Sequence, residues 1–301
     1  MARKHIIRIL IVTAVAAGAV LLWLRGWREP ELGQIIRLTP PREGQAGVLQ
    51  VPIVRYARGS VLGGRETVDF VGAVHLGEPQ YYAALNRRFA GYDAVLFELV
   101  GDPGQFAARL DSENRSVVGM IQVAMASLLG LQFQLNGIDY RAPNFVHADL
   151  TPGQLSDAMT ARGETLPSLL LRLLRLSFNP ELKEKMRQAG FEEQRLDGIN
   201  PIMIALRGPT EAERQKIKLV FAQGLASSDV FMKALQGEQG VALINDRNAA
   251  AVRVTEEQLR LGKKHLAIFY GVGHLPDLHE RLTKGLGFEV VDIEWVDAWS
   301  L

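Results

Sequence analysis

Cysteine is absent from the 301 residues. That excludes disulfides, thiolate zinc sites and thiol nucleophiles, and leaves the redox compartment open. A net charge of either sign is also lacking, since 34 Lys and Arg stand against 33 Asp and Glu, for a formal charge of +1. No bulk electrostatic drive toward nucleic acid or acidic partners follows. No basic stripe alternates with aromatics, which make up only 7% of the chain, and nucleic-acid binding is not expected. The remaining composition, 48% hydrophobic and 22% charged, is ordinary for a globular protein of one large domain or two small ones.

Charge is sparse near the N-terminus. Ile6 to Leu24 is a run of nineteen residues whose one charge is Arg8. As a helix it would span roughly 28 Å, close to the hydrocarbon thickness of a bilayer. Arg8 lies near one end, where it can snorkel, and Trp23 and Trp27 suit the opposite interface. A cleaved signal peptide competes, because the start is basic and "AVAAGA" offers small residues. The apolar run continues beyond them through Leu21, Leu22, Trp23 and Leu24, which favours a retained single-pass anchor over residues 1–28. Arg3, Lys4 and Arg8 lean toward an N-inside orientation, with the main domain outside the cytoplasm. A second uncharged run, Ser116 to Ile138, carries Gln122, Gln132, Gln134 and three glycines, and reads instead as a buried helix of a soluble core.

Residues 29–50, with Pro30, Pro40 and Pro41, read as a linker, and a domain follows over 51–301. "LQVPIVRYA" and "ETVDFVGAV" have strand character, "EPQYYAALNRRFAGY" is helical with Pro79 in its first turn, and "DAVLFELV" reads as a buried parallel strand. Near the C-terminus "HLAIFYGV", "PDLHERLTKGLG" and "FEVVDIEWV" repeat this strand–helix–strand plan. "GYDAVLFELV" and "GFEVVDIEWV" even share a register that matches Glu98 with Glu294, so duplication and chance both remain open. A helical insertion of about 151–240 separates the units; Thr151 is its expected N-cap, and "LPSLLLRLLRLSF" is its most apolar helix. That helix is expected to pack on the sheet, with membrane or partner contact as the alternative.

Two apolar runs end on the same Gly-x-x-His spacing, at His75 and His274. A strand that ends in a glycine-containing turn sets the next side chain at the carboxyl edge of the sheet, where open α/β sheets place their ligand crevices. Glu98, at the end of the strand after His75, can point into the same crevice. Two imidazoles and a carboxylate suit a divalent cation with open positions for water and substrate. Without metal, the same groups can serve as general base and orienting acid. Each also has a structural reading, as a strand-end cap or an ion-pair partner. His5, His147, His265 and His279 lack the glycine context and read as structural, as does Glu294. "YGVGHLPD" carries only half of a dinucleotide fingerprint, with Pro276 at the third glycine position.

Gly72-Ala-Val-His75, the glutamate of "VLFELV", Arg247-Asn248 in "INDRNAAAV" and Gly271-Val-Gly-His274 together resemble the TraB/GumN/Tiki superfamily. The block "FQLNGIDYRAPNFVHADLT" is similar to bacterial members, and the resemblance covers roughly residues 60–297. It implies a mixed α/β fold with duplicated halves around one cleft. With the pattern above, the expected architecture is α/β, a mixed sheet built from two similar βαβ-containing halves, with the helical insertion and an N-terminal transmembrane helix. Tiki members are membrane-tethered peptidases dependent on manganese or cobalt, and relatives include erythromycin esterases and haem-binding lipoproteins. The resemblance implies His75, His274 and Glu98 as metal ligands, with manganese or cobalt favoured over zinc. It implies Glu98, Arg247, Asn248 and Tyr140 as catalytic residues, Arg247 holding a substrate carboxylate or an oxyanion. The expected activity is a membrane-anchored, metal-dependent hydrolase of peptide or amide bonds acting on a peptide or small molecule. The alternative is a non-catalytic haem- or peptide-binding module.

Overall fold

Four short apolar strands lie side by side and run parallel: β3 (Arg65–Ala73), β8 (His265–Gly271), β5 (Ala94–Phe97) and β7 (Phe145–His147), in that spatial order. Every residue of β5 is buried, as is the whole middle of β8, which explains why both read as unbroken apolar runs. The computed structural model describes residues 35–43, 45–59, 63–102, 125–188, 199–226 and 240–301. All of these belong to one compact unit, Gly33–Leu301. The expected anchor over 1–28 lies outside the described residues. Among the described residues no helix is long and apolar enough to cross a membrane.

The other flank of the sheet is antiparallel. β2 (Val48–Gly59) pairs with β3, with β9 (Glu289–Ser300) over most of its length, and with β1 (Arg37–Thr39) at its start. The fold is thus mixed α/β with a mixed sheet. The stretch expected as a linker, 29–50, contains β1 and the first residues of β2. Both strand–helix–strand units are present, but they interleave. β8 lies between β3 and β5, while β9 lies beyond β2 on the other side of β3. Register similarity between Glu98 and Glu294 does not carry over to their surroundings. Glu294 sits in the middle of β9 and pairs on the surface with Arg88 at 2.6 Å.

α1 (Pro79–Phe89) buries Tyr81, Tyr82, Leu85 and Phe89 on the sheet, a helical repeat on one face. The Phe89 ring lies 4.9 Å from that of Phe269 on β8. The two tyrosines also fix the backbone before His75. Tyr81 donates to Gly72 O and Tyr82 to Val74 O, each at 2.9 Å. Space for Tyr82 depends on Gly137, where an added Cβ would stand 2.5 Å from the ring.

The run expected as one buried helix over Ser116–Ile138 is not continuous. Its part before residue 125 lies outside the described residues; beyond a helical turn at 125–129, Gly130 takes φ +66 and the chain breaks. It continues as β6 (Gln132–Phe133), paired with β4 (Leu76–Gly77), and a single helical turn, α2 (Gln134–Gly137). Burial there is partial too: Leu129, Leu131, Gln134 and Ile138 are buried, while Ser127 and Asn136 are exposed.

The described parts of the insertion are helical as expected, with α3 (Pro152–Ala161), α4 (Leu166–Ser177), α5 (Pro180–Gln188), α6 (Pro201–Arg207) and α7 (Glu211–Ala226). Thr151 caps α3 through a capping box with Gln154. The leucine-rich α4 contributes Leu169 to a cluster of helical residues. There it joins Met159 of α3 with Val241, Ala242 and Ile244 around the start of α8 (Ala242–Arg260).

Candidate active site

Parallel adjacency explains why residues distant in sequence meet. Each of four neighbouring strands delivers one polar side chain at its carboxyl end: His75 after β3, His274 after β8, Glu98 after β5 and Asp149 after β7. His75, Glu98 and His274 line one cavity of about 410 Å³, the size of a small-molecule site. Its remaining wall is apolar and includes Ile36, Leu129, Phe221, Leu225, Ile244 and Trp299.

His274 is buried and held by its own neighbourhood. Its Nδ1 lies 2.6 Å from Asn248 Oδ1. Asn248 Nδ2 donates to Asp277 Oδ2 at 2.7 Å, and a carboxylate oxygen there can only accept. The amide is thereby oriented, its oxygen accepts, and His274 carries its proton on Nδ1. The Nε2 lone pair then faces Glu98 Oε1 across 3.5 Å. With Nε2 unprotonated two acceptors meet there, and a proton taken up by Nε2, or a water bonding both from the cavity side, relieves their repulsion.

Glu98 is positioned from three sides. Its Oε2 accepts the Gly271 N–H at 2.6 Å, and its Oε1 accepts from Arg247 Nη2 at 2.7 Å. Gly271 leaves little spare room, since an added Cβ would stand 3.2 Å from Glu98 Oε2. Burial opposes the charge on Glu98, but the field and hydrogen bond of His274 once Nε2 carries a proton, with the fields of Arg247 and His75, prevail. Its carboxyl is held well below the usual carboxylate range.

Arg247 does not face the cavity. Its Nε and Nη2 grip Asp149, at 2.9 and 2.6 Å, and Nη2 also reaches Glu98. Burial disfavours its charge, yet Asp149 and Glu98 outweigh this and its pKa is raised. The expected substrate-holding or oxyanion role gives way to a buried ion-pair network, because two carboxylates already occupy the guanidinium. Asn248, fully buried on the same helix, touches His274 rather than the cavity. The α8 N-cap is Val241, and Asp246 pairs with Arg162 one turn inside the helix. Tyr140 is also removed from the cavity: it packs against Phe97 and Phe145, and its hydroxyl accepts from Gln134 Nε2 at 2.8 Å.

The donor set has the chemistry for a transition-metal ion, but the expected three ligands do not form one group. Among the described residues no three His, Asp or Glu side chains stand together so as to hold a metal. A guanidinium 2.7 Å from Glu98 Oε1 supplies the positive charge that a divalent ion would otherwise bring. The remaining described histidines are structural, as expected. His147 bonds Leu99 O, His265 stacks on Tyr92, and His279 meets the Tyr56 hydroxyl.

Asp149 and Asp277 were not legible as site residues. Each is a single acid in an unremarkable context, "FVHADL" and "GHLPDL", and its role depends on what lies opposite. The one available signal for Asp149 was its place just past a strand. No family model, curated protein or solved structure matches the chain.

Proposed function

We propose that the chain is a hydrolase of ester or amide bonds, of the TraB/GumN/Tiki type, tethered to a membrane through residues 1–28, with His274 as general base. The observation that carries this reading is the 3.5 Å gap between His274 Nε2 and Glu98 Oε1 on the wall of the cavity. A water beside that pair, on its cavity side, bonds both Nε2 and Oε1 and turns a lone pair toward a bound carbonyl. As its oxygen adds to the carbonyl carbon, one proton passes to His274 Nε2. The C–O or C–N bond then breaks, and the leaving atom takes up that proton. Asn248 and Asp277 hold the imidazole; Arg247 and the Gly271 N–H hold Glu98. His75, exposed at the same wall, is the donor for the carbonyl oxygen.

The order of the Gly-x-x-His, Glu and Arg-Asn residues along the chain supports the superfamily reading. A panel of activated esters and amides tests the function. Turnover that survives chelation and is lost in His274→Ala is the expected result. Full activity in a folded His274→Ala variant overturns it. Activity restored only by manganese or cobalt would return the metal-dependent version.

A further inference from the structure

Away from its reactive wall the described side chains that line the cavity offer no unused polar group. Besides His75, Glu98 and His274, the described lining side chains are aliphatic, aromatic or thioether. Trp299 carries the one further N–H, and it is already donated to Leu76 O at 2.7 Å. A polar substituent placed there would lose its water without gaining a partner. The part of the ligand that enters must therefore be hydrocarbon.

Volume decides which hydrocarbon. At about 30 Å³ per water-sized group, a cavity of about 410 Å³ holds about fourteen such groups. A leucine side chain has four carbons and a phenylalanine side chain seven, so one apolar peptide residue leaves much of it empty. An extended alkyl chain fills it. Met125 on the wall is suited to a flexible guest.

We infer that the cavity takes the acyl chain of a medium- to long-chain ester or amide, its carbonyl carbon facing the water at His274 and Glu98, its carbonyl oxygen toward His75, and the tail running toward Leu129, Phe221 and Leu225. The inference rests on the hydrolase reading for the carbonyl, while the chain site can be tested without it.

The test uses the full chain with p-nitrophenyl butyrate, octanoate, laurate and palmitate. Each added methylene is expected to raise kcat/KM about fourfold until the cavity is full. Leu225→Trp, which shortens the cavity, is expected to move that plateau to shorter chains. A flat profile, with His274→Ala inactive, overturns the acyl-chain site and leaves the hydrolase reading standing. So does faster cleavage of leucine or phenylalanine p-nitroanilide, which would assign the cavity to peptide side chains. If no ester is cleaved, displacement of bound cis-parinaric acid by laurate decides. Displacement weakened in Leu225→Trp keeps the chain site and removes the hydrolase; no binding overturns the chain site.

Discussion

Asn248 sits between His274 and Asp277, accepting from the imidazole Nδ1 at 2.6 Å and donating to the carboxylate at 2.7 Å. Neither end can reverse without losing a buried hydrogen bond, so the ring orientation and its tautomer are set together. Replacing Asn248 with Ala is expected to lower kcat about 10- to 100-fold with little change in KM. A purely structural role would lower stability and leave the pH–rate profile in place; a shifted profile identifies positioning.

His274→Ala and Glu98→Gln act on the water itself. Each is expected to reduce turnover by about a hundred- to ten-thousand-fold. Circular dichroism of both variants must match the parent for the comparison to count. A double variant no worse than the singles would show that the two groups act on one water.

Arg247 is the counter-charge for two carboxylates, one of them, Asp149, with a fully buried side chain. Arg247→Met strands both. It is expected to cost about 3–5 kcal/mol, read as a lowered urea midpoint. Arg247→Lys keeps the charge without the fork and should fall between. An unchanged midpoint in Arg247→Met would mean that the network contributes no stability.

Much of this site is legible from the chain alone, and the reason is physical. Parallel strands are buried on both faces, so β3, β5 and β8 stand out as apolar runs, and the residues just past them lie on one edge of the sheet. His75, Glu98 and His274 follow from that rule. Spatial order does not. That β8 lies between β3 and β5 depends on side-chain packing across the whole sheet, which no local pattern encodes. The same limit explains Arg247. Its fork suits a substrate anion as well as a protein carboxylate, and Asp149 is what distinguishes the two. Glu98 and Glu294 share a sequence register, yet one ends a short buried strand and the other lies mid-strand on an exposed face.

Acid sensitivity has a specific origin at Glu78. Burial raises its pKa, but Lys218 at 2.8 Å and the Ser300 N–H at 2.8 Å overcome this and lower it from its ordinary 4.5. A depressed folded-state value stabilises the fold above the unfolded pKa, and that stability is lost as pH falls through the folded one. Stability measured by urea should therefore decline as pH drops below 4.5. Glu78→Gln should flatten this decline and be less stable at neutral pH. An unaltered acid limb in the variant would place its origin elsewhere.

Tyr82→Phe removes one hydrogen bond from the backbone just before His75 and leaves the Val74 carbonyl without it. The expected cost is about 1–3 kcal/mol. Gly137→Ala should act on the same ring by displacement, given the 2.5 Å approach. Heat denaturation of the two variants and their combination checks this. Costs well short of additive in the double variant indicate a shared origin.

β2 pairs with β9, and β8 fills the slot between β3 and β5. A ribosome releases β2, β3 and β5 long before either partner exists. Until residues 265–300 emerge, the early strands expose open hydrogen-bonding flanks, and the reactive wall is incomplete. Nascent chains therefore cannot assemble this wall stepwise. Residues 265–300 must emerge first, and a holding factor that shields those flanks in the interval has something definite to protect.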